Sequence, residues 1–216
     1  MPLPDALAFL FPVPCAGCGA EGRALCAVCA PALAPRVSAL ELADVGRVAV
    51  GLPYDGVARA AVLALKEEGR AGLAAALAVP FAAAVAQAVT DAGLRLVAIP
   101  SSRAARRRRG FEPVRLLAAR AGIRLTPLFR PALPHAAQKG LGVADRARNL
   151  VGVFELARPV AALRVVLLDD VATTGATLAA AAGVLRAAGA EVAGAAVLAA
   201  TPRRDGRSSG TLSRNP

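Results

Sequence analysis

The run Val165-Val-Leu-Leu-Asp-Asp-Val-Ala-Thr-Thr-Gly-Ala-Thr177 constrains the fold more than any other part of the chain. An apolar stretch of strand length (163–168) ends in two acids. A Thr/Gly turn then leads straight into the alanine-rich segment 176–188, which reads as a helix closed by Gly189. A buried strand that enters a helix through so short a turn belongs to a layered α/β arrangement. It also sets free N–H groups and the positive end of a helix dipole at the turn, where they favour an anion such as phosphate. Thr173, Thr174 and Thr177 add hydroxyl donors, and Gly175 lets the backbone close around phosphate oxygens. Asp169 and Asp170 repel phosphate but accept hydrogen bonds from paired ribose hydroxyls. The combination implies a ligand that carries both a diol and a phosphate, bound at the carboxyl end of a strand as ligands of open α/β sheets are.

The rest of the chain alternates in the same way. Strands are expected at 47–52, 94–99, 153–156, 163–168 and 192–198, with helices at 55–66, 73–89 and 111–121. Gly69 and Gly72 separate the first two helices. Continuous apolar strands alternating with helices predict a parallel sheet covered on both faces.

All four cysteines fall in one window, Cys15-Ala-Gly-Cys18 and Cys26-Ala-Val-Cys29. Two C-x-x-C pairs at this spacing are the pattern of a tetrahedral thiolate zinc site, closed and structural because the protein supplies every ligand. Gly17 and Gly19 suit the knuckle turns, which need backbone that tolerates positive φ. Two disulfides fit a chain without a secretory leader poorly, and a redox C-x-x-C stands alone before a helix.

Hydrophobic residues make up 56% of the 216, which excludes disorder throughout. Aromatics are 3% and Trp is absent, so a run of base-stacking platforms is excluded. The formal charge of +11 favours polyanionic partners. All but two of the 26 basic side chains are arginine, the exceptions being Lys66 and Lys139. The bias as a whole fits a GC-rich coding preference on exposed surface. The densest cluster, Arg106 to Arg109 with Arg103 nearby, reads equally as a solvated loop or as a contact to pyrophosphate or a nucleic-acid backbone. His135 stands alone among Pro and Ala, without a partner at catalytic spacing. The first residues have no basic region, carry Asp5 and are broken by prolines, which argues against a signal peptide. The uncharged stretch 71–89 has the length of a membrane span. Its larger apolar residues, Leu73, Leu77, Phe81, Val85 and Val89, recur every four positions as one stripe, so a buried helix without stable membrane insertion is expected.

The Val165–Thr177 run resembles the 5-phosphoribosyl-1-pyrophosphate (PRPP) signature of type I phosphoribosyltransferases: apolar strand, acidic pair, small residues, then Thr-Thr-Gly-x-Thr. Ala172 stands where that family usually has a larger aliphatic residue. Upstream lie the double C-x-x-C, Tyr54-Asp-Gly-Val, Leu65-Lys66, Ile99-Pro-Ser-Ser, Arg109-Gly-Phe-Glu, Gln138, Asp145-Arg146 and Arg148-Asn149-Leu-Val-Gly-Val-Phe154. This order is similar to that of ComF/GntX-type competence proteins over nearly the whole chain, with Glu112 where the family commonly has Asn.

The resemblance implies a type I phosphoribosyltransferase-like fold, a Rossmann-like parallel sheet flanked by helices, over 47–201. A zinc ribbon would occupy 1–40, and 202–216 would be a disordered basic tail. It implies PRPP or a related ribose phosphate on Asp169, Asp170, Thr173, Thr174, Gly175 and Thr177, with Ser101 and Ser102 holding pyrophosphate and Mg²⁺ arriving with PRPP. Arg106, Arg109, Lys139 and Arg146 are the candidates for a catalytic role. The implied function is a part in bacterial competence, the uptake or handling of transforming single-stranded DNA. A competence helicase and recombination-loading proteins are the implied partners, and the implied location is cytoplasmic, peripheral to the membrane through them. The alternative is a working phosphoribosyltransferase that moves ribose 5-phosphate to an unidentified acceptor and releases pyrophosphate.

Overall fold

Residues 13–131 and 154–201 are described by the computed structural model. Their centre is a five-stranded sheet built from β1 (Ser38–Leu42), β2 (Gly46–Pro53), β3 (Arg95–Ala98), β6 (Arg164–Ala172) and β7 (Glu191–Ala200). The spatial order is β1-β2-β7-β6-β3. Strands β2, β7, β6 and β3 run parallel, as the apolar continuity of their sequences requires. The edge strand β1, unforeseen in the sequence, folds back on β2 antiparallel with Ser38 opposite Val50. A separate ribbon pairs β4 (Phe129–Pro131) with β5 (Phe154–Leu156), and its Phe129 and Phe154 rings meet at 5.3 Å, tilted by 47°.

The two faces of β6 show why the sheet is covered on both sides. Val166 and Leu168 enter one core, Val165 and Leu167 the other, as the two-residue period of a strand dictates. The first core is closed by α1 (Gly56–Glu67), α2 (Ala74–Ala88) and α4 (Pro113–Arg120). The second is closed by α5 (Ala176–Ala187) through Leu178, Ala181, Ala182 and Leu185, together with the β4–β5 ribbon. The arginine run forms a short helix, α3 (Arg103–Arg109), instead of the loop considered from the sequence. Gly110 ends it in the left-handed conformation.

Helix α2 comes unusually near the sheet because small residues line the contact. A Cβ on Gly51 of β2 would fall 2.4 Å from the Pro80 carbonyl oxygen. With the preceding 3₁₀ turn Ala71–Leu73, this segment is long and apolar enough to cross a membrane by length and composition alone. Instead Leu73, Leu77, Phe81 and Val85 are all buried against the sheet, as the four-residue stripe predicts. Val89 lies beyond the helix and is partly exposed.

Phe81 is fully buried and Val79, two residues earlier, is 58% exposed. Phe81→Ala is therefore expected to lower the unfolding free energy by about 3–5 kcal/mol, and Val79→Ala to change it by less than about 0.5 kcal/mol. Urea denaturation of the two variants checks this; equal losses would contradict the packing of α2.

Candidate functional site

Strand β6 outruns its neighbour. β3 pairs with it only as far as Ala98 opposite Leu168, and the Ile99 N–H still reaches the Leu168 carbonyl at 2.9 Å. The residues Asp169–Ala172 therefore extend past the end of β3, still paired with β7 on their other side. The sequence suggested that the strand ends at the acids; they lie inside it, and it runs on to Ala172.

Beyond Ala172 the chain turns into α5 through Thr173, Thr174 and Gly175. Gly175 is the N-cap residue with φ +80°, a conformation that favours glycine. A Cβ there would lie 2.5 Å from Leu42 Cδ1, so the glycine is required by the turn and by the β1 side chain packed on it. The Thr174 hydroxyl accepts from the Ala176 N–H at 3.3 Å. Thr173, Thr174 and Thr177 are exposed, so their hydroxyls and the free N–H groups of the first helical turn face solvent. The geometry is that of an anion cradle.

The acidic pair is not a pair of free acceptors. Asp170 continues the register of Val166 and Leu168, on the face that α1 covers, and is only 7% exposed. Its Oδ1 accepts from Lys66 Nζ of α1 at 2.8 Å. Burial works against the charge on Lys66, but the Asp170 carboxylate beside it outweighs burial and holds the lysine above its ordinary pKa. Asp169 accepts the Asp170 N–H on Oδ1 at 2.8 Å. Burial, reinforced by the neighbouring Asp170 charge, pushes the Asp169 carboxyl up to about 8. Neighbouring carboxylates oppose each other's ionisation, and Asp169 is the one held back. Sequence reasoning singled out Lys66 only as one of two retained lysines; its partner lies 104 positions away and carries no local signal.

The Ser101–Ser102 segment follows β3, as expected. Ser102, however, is the N-cap of α3, its hydroxyl accepting from the Ala105 N–H at 3.2 Å, while Ser101 is half-buried. The arginines of α3 divide by direction. Arg106 and Arg107 line an open cleft of about 610 Å³ with Pro100, Glu112, Arg115 and Phe129. Arg108 pairs with Glu67 of α1 at 2.5 Å, and Arg109 turns back to the Ala105 carbonyl at 3.2 Å. The run is therefore not one patch: Arg106 faces the cleft and Arg109 is committed to its own helix. Lys139 and Arg146, with His135, Gln138, Asp145, Arg148 and Asn149, lie outside the described residues, as do 1–12 and the tail 202–216.

The four cysteine sulfurs lie within 4.8 Å of one another, with Cys18 and Cys26 at 3.7 Å. A tetrahedral thiolate shell around zinc sets its sulfurs about 3.8 Å apart, so the cluster fits that ion. Backbone N–H groups of Cys18 and Cys26 hold the Cys15 thiol down at about 6, and burial with the neighbouring thiols pushes Cys29 up to about 12. A divalent cation supplies the charge that a buried Cys29 thiolate needs. Gly17 serves by close approach and not by positive φ, since a Cβ there would fall 2.7 Å from Cys29 Sγ. The cluster is tied to the sheet domain by Leu33 in the first core and by Arg70, which donates to the carbonyls of Pro14 and Ala24.

Comparison with protein families matches residues 74–214 to the phosphoribosyl transferase domain, about two thirds of the chain. A search of curated proteins finds no match.

Zn²⁺ titrated into reduced, metal-stripped protein is expected to bind at one ion per chain and to shield all four thiols from a thiol reagent. Cys18→Ser should weaken that binding at least tenfold. Four thiols equally reactive with and without Zn²⁺ would contradict the cluster.

Proposed function

Because the chain belongs to the phosphoribosyl transferase domain family, we propose that the β6–α5 junction is a ribose-phosphate site that takes PRPP. The observation that carries this reading is the junction itself: exposed Thr173, Thr174 and Thr177 at a helix N-terminus, directly after an acidic pair in a strand that outruns its neighbour. The first helical turn and the threonine hydroxyls receive the 5′-phosphate, while Asp169 and Asp170 receive the ribose hydroxyls. Gly175 keeps the turn tight.

Mg²⁺ arrives on the oxygens of PRPP and supplies neutralising charge for the pyrophosphate. The acids make no protein cage for it, since Asp170 Oδ1 is engaged by Lys66 and Asp169 Oδ1 by a backbone N–H. Ser101 follows β3, where pyrophosphate lies in this reading, and Arg106 lines the cleft beside Pro100. Zinc on Cys15, Cys18, Cys26 and Cys29 has a structural part, pinning the N-terminal segment to α1 and α2.

The ComF/GntX-like order of motifs supports a finer reading: a cytoplasmic competence protein that handles transforming single-stranded DNA, meeting the membrane only through partners such as a competence helicase or recombination-loading proteins. The charge of +11 and the exposed Arg106 and Arg107 support a sequence-tolerant contact with the DNA backbone. The second reading, a transferase with an acceptor of its own, draws on the cleft beside Pro100. In that case Arg106 and Arg107 stabilise departing pyrophosphate.

Calorimetric titration with PRPP, ribose 5-phosphate and ribose separates the contributions. PRPP and ribose 5-phosphate are expected to bind and ribose is not, with Thr177→Ala weakening both ligands about three- to tenfold. Binding of none by the parent chain would sink the ribose-phosphate reading. Single-stranded DNA is expected to bind with a steep salt dependence that becomes shallower by about two in slope when Arg106 and Arg107 are replaced by Ala. An unchanged slope would remove α3 from the DNA contact.

A further inference from the structure

Among the described residues Asp170 is the one buried charged side chain, and its neutralisation comes from a different part of the chain. Lys66 sits in the last turn of α1, its side chain itself about three-quarters covered, and places Nζ 2.8 Å from Asp170 Oδ1. Near the pair stand Asp169 on the same strand and Tyr54 just past the end of β2. Asp170 Oδ2 has no hydrogen-bond partner among the described residues. Lys66 thus fixes one oxygen of the carboxylate and leaves the other for a ligand.

Resting on the ribose-phosphate reading above, we propose that Lys66 is the positioning residue of the acidic pair, holding Asp170 ionised and turned so that Oδ2 accepts a ribose hydroxyl. A buried carboxylate without a cation takes up a proton readily, and a protonated acid no longer offers a charged acceptor. The neighbouring Asp169 carboxyl is itself pushed up to about 8 by burial and by the Asp170 charge. Lys66 supplies Asp170 with that cation. Loss of the lysine therefore acts on binding through protonation, as well as through the orientation of Asp170. It does so without Lys66 having to touch the ligand.

The anchoring of α1 supports this assignment. Glu67, the next residue, pairs with Arg108 of α3, and Arg70, just beyond the helix, is bonded to the carbonyls of Pro14 and Ala24. The end of α1 that presents Lys66 is thereby held from two sides. An ion pair fixed on both sides loses little side-chain freedom when a ligand arrives, which is what a positioning role requires.

The test is the pH dependence of ribose 5-phosphate and PRPP affinity from pH 5 to 9 for the parent chain, Lys66→Met and Lys66→Arg, with thermal melting of each to monitor folding. Lys66→Met is expected to bind about tenfold more weakly at pH 7 and to recover affinity at higher pH, its acidic limb moved up by about 1–3 pH units. Lys66→Arg keeps the charge and is expected to keep the parent's limb. If Lys66→Met has the parent's affinity, or if both variants weaken equally with the parent's pH profile, Lys66 is only a packing residue and the proposal is overturned. If the parent chain binds neither ligand at any pH, the ribose-phosphate reading fails and this inference with it.

Discussion

A carboxylate taken out of water has to be matched by a cation, and here the match between Asp170 and Lys66 joins the two halves of the molecule. Everything around the candidate site is arranged about that requirement. Strand β6 is buried on both faces through Val165–Leu168, so its first polar residues fall where β3 has ended and the sheet opens. There the two-residue period turns Asp170 toward α1, the helix able to supply the cation. The next residues must leave the sheet, and they do so in a turn whose glycine is packed on by Leu42 from the far edge. A ligand that brings a diol and a phosphate completes what the fold leaves open, since the acids repel the phosphate and the helix N-terminus attracts it.

Much of this was legible in the sequence because burial on both faces writes long apolar runs. β2, β6, β7 and the stripe along α2 came out within a few residues of their observed bounds for that reason. β1 did not, because Ser-Ala-Leu-Glu-Leu is short and mostly exposed and carries no continuous signal. Helix α3 was missed for a related reason: a run of arginines has no apolar period, and its evidence is the Ser102 cap and Gly110 at its ends. The cysteine spacing announced a four-thiol cluster, and the sulfurs do converge. Yet the reason for Gly17 lies in Cys29, twelve residues on, and was not visible locally.

The site was legible as a list of residues and not as a set of partners. Asp169, Asp170 and the threonines were apparent because they are contiguous. Contiguity misled in one respect, since adjacent acids in a strand have different surroundings: Asp170 is paired with Lys66, while Asp169 is bonded to a backbone N–H and is pushed up to about 8 by burial. The arginine run misled in the same way, because side chains on successive helix positions point apart. Chemistry at this site depends on long-range pairs, which only the fold reveals.

The most direct test of the central claim, that the β6–α5 junction receives a ribose phosphate, is the backbone amide spectrum of isotope-labelled protein during titration with ribose 5-phosphate. The account predicts saturable shifts concentrated at Thr173–Leu178, where the phosphate meets the helix N-terminus, with smaller ones at Asp169 and Asp170. Saturable shifts that bypass this junction and gather elsewhere, or none up to millimolar ligand, would contradict it.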